Sequence, residues 1–231
     1  MALRMITDFK VSEIVASAVT SNKYGGKAIY LNGPGRSRLM FQIPPLKAIV
    51  GLKESDIAPG TWNMPLSLDN EAILKVFQDL ENFTIETILA NSEALTGKKL
   101  TREVLLAGDS WKPFIKPSKK EGYSPILRMA PQVDRTTKKF ITEAYNFNRE
   151  AVPLESIEKG QRVSCIIEIA SIWKSTMGYG LSIRLHQVMF APTTKLAPCA
   201  FLATADEPVA DSGSERSTDD VEDSVSEHSD E

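Results

Sequence analysis

The 231 residues carry 27 Lys+Arg and 30 Asp+Glu, and the formal net charge of −3 hides a division, because eleven acids and one base fall in residues 206–231 and leave 26 bases against 19 acids for residues 1–205. A hydrophobic share of 42% can supply the core of one ordinary domain over residues 1–205, whereas 206–231 offers only Val209, Val221 and Val225 as large apolar groups and is expected to be a disordered acidic tail. The opening MALRMITDFK has no apolar h-region, no stretch nears a bilayer span of roughly 18 apolar residues, and Cys165 and Cys199 make neither a disulfide framework nor a CxxC pair; secretion and a membrane are therefore not expected, and an intracellular, reducing compartment is.

In chain order, KAIYLNGPGRSRLMFQI (27–43) reads as two strands around a Gly-Pro-Gly hairpin turn. Segment 69–92 is the one convincing helix, with Ile73, Leu74, Phe77, Leu80, Ile85, Ile88 and Leu89 at mostly three-to-four spacing and Asp69 as its cap. WKPFIKPSKKEGYSPILRM (111–129) reads as a basic loop leading into a strand, and KKFITEAYNF (138–147) alternates as a strand should. The clearest unit is 161–190. Val163, Cys165, Ile167 and Ile169 share one face of its first strand. Leu181, Ile183 and Leu185 do so on the second, opposite Ser182, Arg184 and His186, and KSTMGYG links the two as a long β-hairpin. Short strands, one inserted helix and more strands predict a mainly β fold, a small antiparallel barrel of about five strands.

The constellations of catalysis are missing. Two histidines, His186 and His228, leave little for acid–base work, a Ser-His-Asp triad or a zinc site. GPGRSR (33–38) lacks the third glycine and the following helix of a phosphate loop, and TGKK (96–99) lacks the glycine five residues upstream of Gly97. No enzymatic activity, cofactor or metal is expected.

Cations do cluster with rings. Trp111, Lys112, Phe114, Lys116, Lys119, Lys120 and Tyr123 share one loop. Arg36 and Arg38 flank a turn beside Tyr30 and Phe41. Arg128, Arg135, Lys138 and Lys139 precede Phe140, and Trp173 and Lys174 open the hairpin loop that Tyr179 closes. Single-stranded nucleic acid calls for this mixture, because cations track phosphates and flat rings accept unstacked bases. Trp173 has two readings. Its parity is that of the buried strand face, while its place after Ser171 and beside Lys174 suits stacking. Trp111 and Phe114 either seal a barrel end or contact DNA, and Trp62 reads as core.

The acidic end answers the basic body. Asp219, Asp220, Glu222, Asp223, Glu227, Asp230 and Glu231 form a polyanion that can occupy a cationic groove from a flexible tether and yield it to DNA. Ser212, Ser217 and Ser224 each stand three residues before an acid and are candidate sites for acid-directed kinases. A solubilising tail without a partner is the plainer reading.

IWKSTMGYGLSIRLHQVMF resembles the corresponding stretch of the single-stranded DNA-binding protein family of short-tailed coliphages (podoviruses), with a Trp followed at the same spacing by Thr or Ser, Gly, an alternating strand and VM. GPGRSRLMFQIP is similar to that family's Pro-Arg turn and Ile-Pro strand end, and KPFIK ahead of YSPILRM to its Pro-Phe before a central strand. Counterparts occur in large nucleocytoplasmic DNA viruses, including those of algae. The resemblance implies an OB-fold, a five-stranded Greek-key barrel, binding single-stranded DNA without marked sequence preference. It also implies a homodimer, strand annealing in replication and recombination, tail contacts with the replicative polymerase and helicase/primase, and a location at viral replication sites. By position, Trp173 matches the family's stacking Trp, Arg36 lies within one residue of its DNA-contacting Arg, and Arg135, Lys138 and Lys139 fall in its basic strand-loop region. Two departures stand out. Ser171 replaces an aromatic, so that platform is lost or supplied by Tyr179, and the chain ends HSDE where the phage tail ends in a ring. An acid-tailed histone chaperone or structural interaction protein is the rival from another class.

Overall fold

The computed structural model describes residues 3–21, 25–55, 58–108, 110–118 and 121–191, all within one compact unit, Met1–Thr193. The acidic segment 206–231 and its candidate residues, with Lys119 and Lys120, lie outside the described residues. The fold is mainly β. The first strands are β1 (Arg4–Met5), β2 (Val15–Ala16), β3 (Thr20–Ser21), β4 (Lys27–Asn32) and β5 (Leu39–Ala48). Three short ones follow, β6 (Lys53–Glu54), β7 (Trp62–Asn63) and β8 (Leu66–Ser67), and then helices α1 (Glu71–Ala90), α2 (Ser92–Thr96) and α3 (Arg102–Leu106). The second half holds β9 (Trp111–Lys112), β10 (Ile115–Lys116), β11 (Ile126–Leu127), β12 (Glu143–Tyr145), β13 (Arg162–Ser175) and β14 (Gly178–Phe190). Among these helices none is long and apolar enough to cross a membrane.

The hairpin of β13 and β14 is the spine. Its strands pair antiparallel from Val163↔Phe190 to Ser175↔Gly178. Val163, Cys165, Ile167, Ile169, Leu181 and Leu185 are all buried on its inner face, as alternation predicts, whereas Ile183, expected with them, is only partly buried against the core. Burial pushes the Cys165 thiol up to about 12, so it behaves as a small hydrophobe.

The expected 27–43 hairpin is corrected. β4 and β5 do not pair with each other. Both run antiparallel to β13, β4 along Ser171–Lys174 and β5 along Arg162–Ile169. They are two collinear pieces of one edge, and 33–38 is an excursion between them, closed by Gly33 N–H donating to the Ser37 carbonyl at 2.8 Å. Gly35 and Arg36 both take positive φ there, 65° and 60°. Pro44 and Pro45 sit in β5 where its register against β13 slips between Val163 and Cys165, a bulge where the missing N–H groups cost least. From β5 the pairings continue through β8 and β11 to β10. The segment 111–116 bends at Pro113–Phe114, and its first half, β9, pairs parallel with β14, so the circuit of backbone pairings returns to the spine.

α1 covers this circuit with Ile73, Phe77, Leu80, Ile85 and Ile88 buried, within two residues of the expected 69–92 at either end. Its cap differs from expectation: the Asn70 side chain accepts from Ile73 N–H at 3.2 Å, while Asp69 pairs with Arg162 at 3.0 Å. A side-chain oxygen at Asn70, next to the first helical residue, has the reach that Asp69 lacks.

Candidate nucleic-acid interface

Trp173 decides the geometry. The register of β13 against β14 shifts between Ile169 and Ser171, so Ala170 is an extra residue and the alternation inverts beyond it. Ile172, opposite Leu181 and Ile29, turns inward and is 1% exposed. Its neighbour Trp173 therefore turns outward and is half-buried. The core parity read from the sequence holds only up to the bulge. Tyr30, paired with Ser171 and two residues from Ala28, the partner of Trp173, is a diagonal neighbour on the same outer face and is 49% exposed.

Trp173 borders an open cleft of about 400 Å³ where β14 parts from the segments at 112–114 and 128–130. Lys112 and Arg128 stand on its rim, with buried Phe114 and Met129 beneath. Neither cation has an ion pair among the described residues. Tyr179 lies in register with Trp111 on one side and Lys174 on the other, so six residues singled out in the sequence gather around one end of the hairpin. They differ in how they pack on the core. Trp111 and Tyr179 are half-buried against the core, and burial raises the Tyr179 hydroxyl above its ordinary range. The Trp111 indole also donates to Glu81 of α1. Burial lifts that carboxyl to about 7 against the lowering effect of this bond, and Glu81 Oε1 has no hydrogen-bond partner among the described residues.

Arg36 and Arg38 project from the excursion. Arg36 is exposed, without an ion pair among the described residues, on left-handed backbone that a side chain adopts at a cost. Arg38 is engaged: its Nε donates to Glu168 at 3.0 Å. Glu168, 8% exposed in its side chain, also receives Arg184 at 3.5 Å and His186 at 2.9 Å. Burial alone would raise this carboxyl, but the His186 hydrogen bond and the two guanidinium charges hold it below the ordinary range. Arg135, Lys138 and Lys139 are exposed on a loop organised by Asp134, whose carboxylate accepts from the Thr136 and Thr137 N–H groups at 2.8 and 2.6 Å and is held low chiefly by the Thr137 bond. The loop ends at Phe140, whose ring meets Trp62 edge-on at 5.2 Å.

Two rings named beside these cations are core. Phe41 is fully buried against Phe9, and Phe114 meets Phe77 at 6.3 Å. Tyr30 and Arg184 were not among the contact residues expected from the sequence, and the signal for Tyr30 was its alternation with the buried Ile29 and Leu31, one residue to either side. Nor was Arg149, which with Arg36 and Lys138 completes the non-glycine residues of positive φ among the described residues, all three basic. Among the described residues no group of His, Cys, Asp and Glu could hold a metal ion.

Residues 52–201 match a family model described as a family of unknown function, DUF5871. The chain belongs to the DUF5871 family. No curated protein matches it. Among solved structures, this DUF5871 chain is similar to the single-stranded DNA-binding protein from bacteriophage Enc34 in complex with ssDNA, at 11% identity and a TM-score of 0.42, covering 78% of this chain and 97% of that one. It is also similar to gp2.5, a single-stranded DNA-binding protein encoded by bacteriophage T7, at 12% identity and a TM-score of 0.44, covering 71% and 98%. Scores this low carry no function across to the DUF5871 chain.

Proposed function

We propose that this protein binds single-stranded DNA without catalysis, through a surface that runs from Tyr30 over Trp173 to the cleft between Lys112 and Arg128. The observation that carries this reading is the inversion at Ala170, which takes a large ring out of the core and sets it beside two cations that no acid neutralises among the described residues. Ring and phosphate contacts together give strong, sequence-tolerant, salt-sensitive binding. The pairing circuit, with a helix laid over it, is compatible with an OB-fold, which we assign here as part of the same proposal.

The tail residues between Asp219 and Glu231 then act as an internal competitor of DNA and, once displaced, as a recruiting segment for the replicative polymerase and helicase/primase. Coating and annealing of strands in viral replication and recombination, as a homodimer at replication sites, completes the reading. Titration of the full chain with oligo-dT, followed by tryptophan fluorescence, tests it. Quenching that weakens steeply with salt supports it, and removal of 206–231 should tighten binding most at low salt. Binding of histones without any binding of oligo-dT would assign the protein to the acid-tailed chaperones instead.

A further inference from the structure

We infer that the cleft beside Trp173 is a base pocket, which accepts one nucleobase turned out of a single strand while Lys112 and Arg128 hold the flanking phosphates. This rests on the proposed DNA binding and adds a subsite to it. A stacking surface needs only a ring facing solvent. Here the chain supplies a recess as well, with a floor that includes buried Phe114, Met129 and Leu181. A closed apolar cavity of about 150 Å³ accommodates benzene, so an open cleft of about 400 Å³ has room for a purine or a pyrimidine and part of its sugar.

The rim has the polarity a base requires. Asn63 is exposed on β7, and its amide makes no side-chain hydrogen bond among the described residues, which leaves both a donor and an acceptor for a base edge. The Ser175 hydroxyl accepts from Met177 N–H at 3.1 Å and keeps its own proton to donate. Apolar floor, amide and hydroxyl edge, flanking cations and a ring on one wall match the parts of a nucleotide in kind: base face, base edge, phosphates. An acidic peptide would use the cations and leave the apolar floor idle. An apolar peptide would bury it without answering the charges.

The test plugs the recess from its rim without touching the proposed phosphate contacts. Ala130 is exposed and lines the cleft, so Ala130→Trp fills it from outside the core. Ser175→Phe does so from the hairpin side and serves if the first variant fails to fold. Labelled oligo-dT and an abasic oligomer of equal length are the probes, with anisotropy as the readout. The plugged chain should bind oligo-dT about tenfold more weakly, within the range one accommodated base contributes, and bind the abasic oligomer as the unaltered chain does. Undiminished oligo-dT binding by both folded variants would overturn the pocket while leaving DNA binding in place. Equal weakening towards both probes would also overturn it, since the recess would then act on the backbone. If the unaltered chain binds neither probe, the DNA reading itself has failed and the pocket falls with it.

Discussion

Trp173 lies across Gly180. The two are paired in register, and a Cβ built on Gly180 would stand 2.5 Å from Cζ2 and 2.8 Å from Cε2 of the indole. Gly180→Ala should therefore displace the ring without disturbing the hairpin, because the backbone there is not left-handed. Oligo-dT affinity should fall by about 1–3 kcal/mol, as it should for Trp173→Ala. Fluorescence titration compares the two variants, and circular dichroism checks that the fold survives.

Glu168 draws three side chains, Arg38, Arg184 and His186, to one carboxylate. Glu168→Gln should cost only about 1 kcal/mol of stability, since Arg38 and Arg184 keep 48% and 43% side-chain exposure and water replaces part of the pairing. It should also release both guanidiniums towards phosphate. The plot of log K against log salt for oligo-dT should steepen by up to about 0.7 for each released cation that makes a contact.

Lys112→Ala and Arg128→Ala should each flatten that slope by about 0.7 if each cation neutralises one phosphate of a single strand. Lys75→Ala gives the control. That residue pairs with Asp79 on α1 at 3.6 Å, and its loss should leave the slope unchanged.

Glu81 makes stability depend on pH. Its carboxyl stands at about 7 in the folded chain against 4.5 ordinarily, so the folded state holds a proton through that interval that the unfolded chain has lost. Stability should accordingly fall as pH rises from about 4.5 to 7 and level off above. Glu81→Gln should remove this decline in thermal melts taken across the interval.

Asn70→Ala should destabilise the chain by about 1 kcal/mol through loss of the α1 cap. Asp69→Ala removes only an exposed ion pair with Arg162, and denaturant melts should show a smaller effect, about 0–1 kcal/mol.

The legible parts of the fold were those in which one period ran unbroken: α1, with its three-to-four spacing, and β13 up to Ile169. What the sequence hid were interruptions. Nothing in ASIW marks Ala170 as an extra residue, since a bulge need not carry glycine, yet that residue decides whether Trp173 faces the core or solvent. GPGRSR showed that the chain leaves a strand but not where it returns, because turn chemistry is local and the collinear return is dictated by β13, about 130 residues further on. Lys112, Arg128 and Trp173 were each recognisable as cation or ring. Their convergence depends on β14 parting from the 112–114 segment, a tertiary event without a local pattern.

The pairing of β4 and β5 along β13 has a practical consequence for expression. The family match begins at residue 52, yet β4 and β5, which lie wholly before it, supply one flank of β13 from Arg162 to Lys174. A recombinant piece cut at 52 would strip Ile29, Leu39, Phe41 and Ile43 from the interior and bare a long ladder of backbone donors and acceptors. Such a fragment should aggregate, and because β1 pairs with β5 and Ile6 and Phe9 are buried in the same interior, trimming from the amino end must stop ahead of β1.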